Sequence, residues 1–344
     1  MAGGDGTMSD VAGRALVSTA TVSRVLSGDT RVAPATRERV LRAVRELDYR
    51  PNAVARSLRA QRTQTLGLVI SDVLNPFFTE LARAVDDTAR ALGFAVVLGN
   101  ADDDSEREDA FSSLLLDRRV DGLLITPAAS ASPAVARAGA LGVPIVFIDR
   151  AAPGAPVVRA DGAAAIDELV GHLRALGHDR IAIVAGPSHV ATGRERLDAF
   201  ASAMAVRGVP LPRTRIEAGD FSIASGEAAT LRLMGASPSP TALFVADNLM
   251  TLGALRALRH LGIRPGSGIA LASFDDVPWF EVFEPPITAI AQPVAAIGAA
   301  AVRALVARIA GEPIASATYP CRLVIRASCG EPAITSLPNQ LEKQ

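Results

Sequence analysis

Five side chains near the N-terminus have the chemistry to bind a nucleic-acid duplex. Thr19, Ala20, Thr21, Ser23 and Arg24 lie within one six-residue stretch. On a helix, the small residues permit close approach to the major groove, and the hydroxyl groups bond phosphates or base edges. An arginine can bond the edge of guanine through two hydrogen bonds. This spacing therefore predicts a DNA-reading helix.

The elements around this stretch fit a helix-turn-helix. Composition and apolar spacing predict helices over residues 9–15, 19–26 and 34–47, with Ser18 capping the second. A small helical domain that binds protein is the alternative that the pattern leaves open. The apolar side chains expected to hold the first two helices together are Val11, Ala12, Val22 and Val25.

The charge of the chain is divided unevenly. Residues 1–62 contain eleven arginines and six acidic residues, so this segment has a net charge of +5. The whole chain has a net charge of −1, which leaves −6 for the remainder. A basic N-terminal module on an acidic body indicates a polyanionic partner at one end only. An arginine-rich solvated face would produce the same charge, so this observation alone leaves both interpretations open.

Beyond residue 66, apolar runs alternate with helical segments. Continuous apolar strands separated by helices indicate parallel sheets that are covered on both faces. The runs are too many for one ordinary open sheet, so we expect two similar lobes, each with a doubly wound parallel sheet. A ligand would then bind in the cleft between the lobes, beyond the carboxyl ends of the strands. The runs cover residues 66–70, 95–98, 122–125, 145–148, 181–184, 242–245 and 269–273.

Other features narrow the class of protein. Cys321 and Cys329 are too few for a disulfide framework, and we expect reduced core residues. No basic segment followed by an apolar run opens the chain, and no apolar run approaches the roughly 20 residues of a membrane span. We therefore expect a cytoplasmic protein with no membrane partner. The four histidines are scattered, so no metal site and no cofactor are expected.

Specific motifs resemble the LacI/GalR family of bacterial repressors over roughly residues 7–330. In the N-terminal part they are DVA (10–12), VSTATVSRVL (17–26), TRERVL (36–41) and LDYRPNAVARSL (47–58). Further along they are NPFF (75–78), RVDG (119–122), LGH (176–178), RERL (194–197), LGAL (252–255), FDD (274–276), QP (292–293) and LVIR (323–326). The order and spacing of these motifs are those of the family.

The resemblance implies a hinge helix over residues 52–59. In the family this segment folds against its dimer mate on the operator, and a leucine at the position of Leu58 enters the minor groove and kinks the DNA. An ordinary interdomain contact is the alternative for Leu58. The residues predicted to contact DNA are Ser18, Thr19, Ala20, Thr21, Ser23, Arg24, Arg31, Tyr49, Asn52, Ala55 and Leu58.

The resemblance also implies an effector pocket between two lobes that are similar to periplasmic sugar-binding proteins. Carboxylates with one arginine and aromatic faces suit a polyhydroxylated neutral ligand, because a carboxylate accepts hydrogen bonds from neighbouring hydroxyls. A sugar is favoured and a purine is less expected. For any single aspartate, a helix N-cap is the alternative. The predicted pocket residues are Phe77, Phe78, Asp149, Arg196, Phe221, Asp247, Asp275 and Gln292.

Three departures from the family pattern stand out. The family order Asn-Asp is reversed in Asp247-Asn248, and Gly162 replaces the asparagine that usually follows the position of Asp161. Leu16 stands at the turn where the family usually has glycine, which suits a left-handed residue. We expect the leucine to cost about 1 kcal/mol of headpiece stability.

Together these features predict a sequence-specific DNA-binding transcriptional regulator, a homodimeric repressor of a pseudo-palindromic operator controlled by a small molecule. The alternatives are a solute-binding protein and, among enzymes, an acid–base catalyst; no nucleophile or paired acid supports the latter. The expected division is a headpiece (1–50), a hinge helix and linker (51–65), an effector-binding and dimerisation domain (66–330) and a tail (331–344) without leucine heptads. Lobe 1 is expected over about 66–160 plus 291–318, and lobe 2 over about 161–290 plus 319–330.

Overall fold

A computed structural model describes residues 7–26, 28–49, 62–128 and 132–330 of the chain. The chain divides into two compact units, one ending at Gln64 and the other beginning at Thr65. They are the N-terminal module and the body. In the described part of the chain, no helix is long and apolar enough to cross a membrane.

The N-terminal module contains three helices: α1 (Met8–Ala15), α2 (Thr19–Leu26) and α3 (Pro34–Glu46). Their apolar faces form one small core. This confirms the predicted contact between the first two helices. The buried residues are Val11, Ala12, Ala15, Val22, Val25, Val40, Ala43 and Tyr49.

Local sequence signals explain where these helices begin. Thr7 and Asp10 form a capping box at the start of α1, so two backbone N–H groups gain side-chain acceptors. The Ser18 hydroxyl accepts a hydrogen bond from the Thr21 N–H at 3.2 Å, which confirms the predicted cap of α2. Pro34 opens α3, where its missing N–H has no cost.

Leu16 ends α1 in the left-handed conformation, with φ 55° and ψ 49°. Its side chain is 86% exposed, so packing against the module contributes little to offset the steric cost of this backbone. The turn therefore has the geometry that favours glycine, although a leucine occupies it.

The body contains two six-stranded sheets. The first has the order β11-β5-β4-β3-β1-β2 and the second the order β12-β10-β9-β8-β6-β7. Neighbouring strands are parallel except β12, which pairs antiparallel with β10. The first sheet comprises β1 (Thr65–Ile70), β2 (Ala95–Asn100), β3 (Gly122–Ile125), β4 (Ile145–Ile148), β5 (Val157–Asp161) and β11 (Ala317–Pro320). The second comprises β6 (Ile181–Ala185), β7 (Ile216–Ala218), β8 (Ala242–Val245), β9 (Ala270–Phe274), β10 (Thr288–Ala291) and β12 (Arg322–Val324).

Helices cover both sheets and complete two lobes. Each sheet has apolar clusters between it and its helices, as expected for strands buried on both faces. In the first lobe the helices are α4 (Pro76–Ala91), α5 (Ser105–Asp117), α6 (Pro133–Leu141) and α11 (Val294–Ile309). In the second they are α7 (Ala163–Ala175), α8 (Ala191–Val206), α9 (Ile223–Met234) and α10 (Asn248–His260).

The chain passes between the lobes three times, after β5, after β10 and after β11. The two predicted parallel sheets are confirmed, but the sequence prediction missed five strands. Four of them lie at or next to a sheet edge and are short or partly polar, so they lack a continuous apolar run. The fifth, β10, also lies next to a sheet edge and is fully buried, but Ile290 is its one large apolar side chain, so it too lacks a strongly apolar run.

Both cysteines are free thiols, as expected. Cys329 is buried, whereas Cys321 is partly exposed and lies at the third crossing between the lobes. Burial raises the pKa of the Cys329 thiol to about 11 and that of Cys321 to about 12. Neither is therefore a thiolate near neutral pH.

We predict that Leu16→Gly stabilises the N-terminal module by about 1 kcal/mol, because glycine adopts the left-handed conformation without a steric cost. Amide hydrogen exchange of α1 and α2 in the full chain measures the effect. Leu16→Ala is the matched control, since it removes the exposed side chain but keeps the Cβ atom responsible for the cost. Unchanged or faster exchange in the glycine variant would contradict the prediction.

Candidate functional site

The outer face of α2 carries polar and small side chains. Thr19, Ala20 and Arg24 are exposed, while Thr21 and Ser23 are partly exposed. The opposite face of the helix is buried in the core of the module through Val22 and Val25. The fold therefore separates a packing face from a face available to a partner.

Other predicted DNA contacts have different surroundings. Arg31 is 87% exposed and forms an ion pair with Asp29 at 2.9 Å, so its guanidinium is held close to the loop before α3. Tyr49 is only 8% exposed and packs in the core of the module, and its contact with DNA stays a prediction. The hinge residues Asn52, Ala55 and Leu58 lie outside the described residues.

The body contains a cavity of about 490 Å³ between its two lobes. Aspartate is the commonest residue type in the wall, and each aspartate follows the carboxyl end of a strand, where parallel sheets place ligands. They are Asp72 after β1, Asp102 and Asp103 after β2, Asp149 after β4, Asp220 after β7, Asp247 after β8 and Asp275 after β9. Among the residues that the structure describes, two arginines, Arg150 and Arg196, line the same cavity.

The backbone is left-handed at four of these aspartates: Asp102, Asp103, Asp149 and Asp275. Asp149 has φ 67° and Asp275 has φ 68°, a left-handed conformation that non-glycine residues seldom adopt. Both side chains are at least nine-tenths buried. Strained backbone of this kind concentrates at binding sites, because the surrounding structure must hold it in place.

Arg150 offsets part of the negative charge of Asp103 and Asp149. Its guanidinium is 5% exposed, pairs with Asp103 and lies 3.6 Å from Asp149. It also donates to the Pro127 carbonyl at 3.4 Å. One arginine thus serves two carboxylates at this end of the cavity.

Arg196 has a similar position in the second lobe. It lies 3.7 Å above the ring of Phe274, donates to the Ala246 carbonyl at 2.7 Å and is 4.0 Å from Asp275. The Phe274 ring also explains Gly162, since a Cβ atom there would lie 2.6 Å from the ring. Close packing against Phe274 at the first crossing therefore explains why glycine stands at position 162, where the family usually has asparagine.

A chain of amides connects the two lobes. The Asn75 side chain, which caps α4, donates to Asp247 at 3.4 Å and accepts from Asn248 at 2.9 Å. Asn248 also donates to Asp275 at 3.3 Å. Asp247 itself caps α10 by accepting from the Met250 N–H at 2.8 Å. The N-cap alternative is thus correct for Asp247, which nevertheless faces the cavity.

Aromatic rings form the apolar part of the wall. Phe77 and Phe78 are both buried and meet edge to face, with centroids 4.9 Å apart. Phe221 lines the opposite lobe in a left-handed conformation. Its ring occupies the space beside Gly186, where a Cβ atom would come within 2.4 Å of it. Packing against this ring therefore explains why a glycine occupies position 186 in the loop after β6.

The structure brings seven of the eight predicted pocket residues to one cavity. Gln292 is the exception: it donates to the side chain of Asp275 and lines two adjoining cavities. Sequence reasoning missed Asn75, Asp103 and Arg150. The run of aspartates after β2 and the cap position before Pro76 were signals that pointed to the first two.

Burial alters the acidity of the cavity wall. The pKa of Asp247 is raised to about 7, because burial disfavours the carboxylate and the negative charge of Asp275 lies nearby. Arg196 opposes part of this effect. Burial also raises the pKa of Asp149. Near neutral pH the wall therefore holds at least one carboxyl group that changes its charge readily.

We predict that the wild-type chain loses stability, relative to Asp247→Asn, as the pH rises from about 4 to about 7. A carboxyl whose pKa is higher in the folded state favours folding while it is protonated, and this advantage is lost as it ionises. The loss amounts to a few kcal/mol, since each tenfold change in proton affinity is worth about 1.4 kcal/mol. Asparagine keeps the helix cap.

Urea unfolding of both proteins at a series of pH values measures this difference. Asp220→Asn is the control, because hydrogen bonds from Ser222 and Ser225 lower the pKa of Asp220. The difference in unfolding free energy between Asp220→Asn and wild type should change only at more acidic pH. Parallel stability curves for wild type and Asp247→Asn between pH 4 and 7 would contradict the prediction.

Two family models match the chain. Residues 7–52 match the family described as bacterial regulatory proteins, lacI family. Residues 170–329 match the periplasmic binding protein-like domain. The first match covers the helical module, and the second covers most of the second lobe together with α11 and β11 of the first lobe.

Individual relatives span almost the whole chain. The HTH-type transcriptional repressor CytR of Escherichia coli strain K12 is 32% identical over 326 residues, which cover 94% of this chain and 96% of CytR. A solved lac repressor dimer bound to operator and the anti-inducer ONPF has a TM-score of 0.86 at 30% identity, covering 95% of this chain and 100% of that one. A complex of the regulator CelR with cellobiose has a TM-score of 0.72 at 33% identity, covering 94% and 99%. The chain therefore belongs to the LacI family of bacterial regulatory proteins and is a DNA-binding transcriptional regulator.

Proposed function

We propose that this regulator represses transcription as a homodimer on a pseudo-palindromic operator and responds to a sugar or sugar derivative bound between its lobes. The observation that carries the proposal is the pairing, in one chain, of an exposed polar face on α2 with a cavity lined by both lobes of the body. The face of α2 offers contacts with DNA, and the cavity offers a site through which a small molecule controls those contacts. We assign the chain to the cytoplasm because its target is DNA.

Thr19, Ala20 and Arg24 are the proposed contacts with the major groove. They share the exposed side of α2, and Arg24 has the reach and fork geometry to bond guanine. In a dimer, two such helices read half-sites related by the protein's two-fold axis. Leu58 is proposed to enter the minor groove, as the family resemblance implies.

The composition of the cavity supports a sugar. Carboxylates accept hydrogen bonds from neighbouring hydroxyls, and aromatic rings cover the apolar face of a pyranose. Among solved relatives, CelR binds cellobiose. The volume of about 490 Å³ is in the ordinary range for a small-molecule site. The proposed contacts are Phe77, Phe78, Asp149, Arg196, Phe221, Asp247, Asp275 and Gln292, the last of which donates to Asp275.

Control follows from the position of the cavity. Side chains of both lobes contribute to its wall, so a ligand changes the free energy of bringing the lobes together. In a dimer, a change in the angle between the lobes alters the spacing of the two DNA-reading modules. The chain acts in this scheme by binding alone, without catalysis.

We predict that Arg24→Ala weakens operator binding by about 10- to 100-fold, because a guanine contact is worth about 1–3 kcal/mol. The probe is a duplex selected by the wild-type protein from a randomised library, and affinity is measured by fluorescence anisotropy at fixed salt. Specificity should also relax at one base pair in each half-site.

Arg42→Ala provides the control, since it removes the same charge from an exposed position on α3. It should change affinity less and leave the base preference intact. Equal losses in both variants, with no change in sequence preference, would show that Arg24 contributes only general electrostatic attraction.

A further inference from the structure

The buried wall of the cavity has more negative than positive groups. Its buried and half-buried side chains include four carboxylates but only two guanidiniums. They are Asp103, Asp149, Asp247 and Asp275 against Arg150 and Arg196. Asp72, Asp102 and Asp220 add further acidic groups to the wall. A neutral ligand would leave this imbalance in place.

The two arginines are committed to particular partners. Arg150 pairs with Asp103 and lies near Asp149 in the first lobe. Arg196 stacks on Phe274, donates to a backbone carbonyl and approaches only Asp275 within 4.0 Å. Across the ranges that the structure describes, no ion pair involves Asp247.

Asp247 is therefore a buried carboxylate bonded only to neutral donors. It is 3% exposed, and its side chain accepts hydrogen bonds from the Met250 N–H and the Asn75 amide. Such donors satisfy hydrogen bonds but carry no countercharge, and Arg196, which forms no ion pair with Asp247, offsets only part of its charge. The remaining negative charge is costly in a buried site. The charge can be balanced by a proton or by a cation that enters with the ligand.

We propose that the effector carries a protonated amino group that pairs with Asp247, so that the ligand class is an amino sugar. This inference rests on the sugar-binding function proposed above. An ammonium group has three donors and no acceptor, which matches a wall rich in carboxylate oxygens. The rings of Phe77, Phe78 and Phe221 accommodate the remainder of the sugar.

A metal ion is a poorer match than an ammonium group. In the described ranges, no three His, Cys, Asp or Glu side chains lie close enough together to hold one. The carboxylates are instead distributed around the cavity, one or two at each strand end. A ligand with several separate donors, such as a sugar with hydroxyls and an amine, fits that distribution.

Matched pairs of sugars test the proposal by calorimetric titration of the full chain. The pairs are glucose with glucosamine, galactose with galactosamine, mannose with mannosamine, and cellobiose with its β-1,4-linked diamino counterpart. The N-acetylated forms serve as sugars whose amine has lost its charge. We expect at least one amino sugar to bind about tenfold or more tightly than both its neutral parent and its N-acetylated form.

Two variants assign the preference to one residue. Asp247→Asn removes the charge and keeps the cap of α10, so the preference for the amino sugar should fall below about threefold. Asp104→Asn is the matched control, because Asp104 caps α5 and lies outside the cavity wall. It should retain the preference. A purely structural role of Asp247 would weaken amino and neutral sugars alike.

The outcomes separate this inference from the function on which it rests. Equal or tighter binding of the neutral sugars overturns the inference and leaves a sugar-responsive repressor. An amino-sugar preference that survives in Asp247→Asn overturns the assignment to Asp247. If no sugar of either class binds, the sugar effector itself is wrong, and the inference fails with it.

Discussion

The central constraint on this molecule is the convergence of strand ends from two parallel sheets on one cavity. The carboxyl ends of parallel strands lie at the same edge of a sheet, so polar residues that follow different strands lie close together there. Six strands contribute seven aspartates to the wall. The three crossings of the chain link the two sheets, so a ligand at this position contacts both lobes.

This arrangement makes charge the main energetic problem of the site. Arg150 and Arg196 each bridge a carboxylate and other groups, while the amides of Asn75 and Asn248 extend hydrogen bonds across the lobes. Left-handed backbone at Asp149 and Asp275 adds conformational cost. A site with partly compensated charge and strained backbone gains much from a complementary ligand, and we propose that this gain supplies the free energy for control of DNA binding.

Much of this could be predicted from the sequence. Alternating apolar runs indicated parallel sheets, and small and hydroxyl residues with Arg24 indicated a DNA-reading helix, because both signals are local. The partners of a charge are not local: Asp103 meets Arg150 from 47 residues away, and Asn75 meets Asp247 from 172 residues away. The burial of Tyr49 in the core of the module could not be predicted either, because its motif carries no information about packing. Gln292, which was predicted to line the pocket, lines two adjoining cavities and donates to the side chain of Asp275.

The most direct test of the account is reciprocity between the two sites. Ligand affinity is measured by calorimetry with the free protein and with the protein saturated by operator, at one salt concentration. The probe is the tightest-binding sugar of the matched pairs. The account predicts that operator changes ligand affinity by the same factor by which ligand changes operator affinity, typically 5- to 150-fold. Identical ligand affinity with and without operator would contradict it.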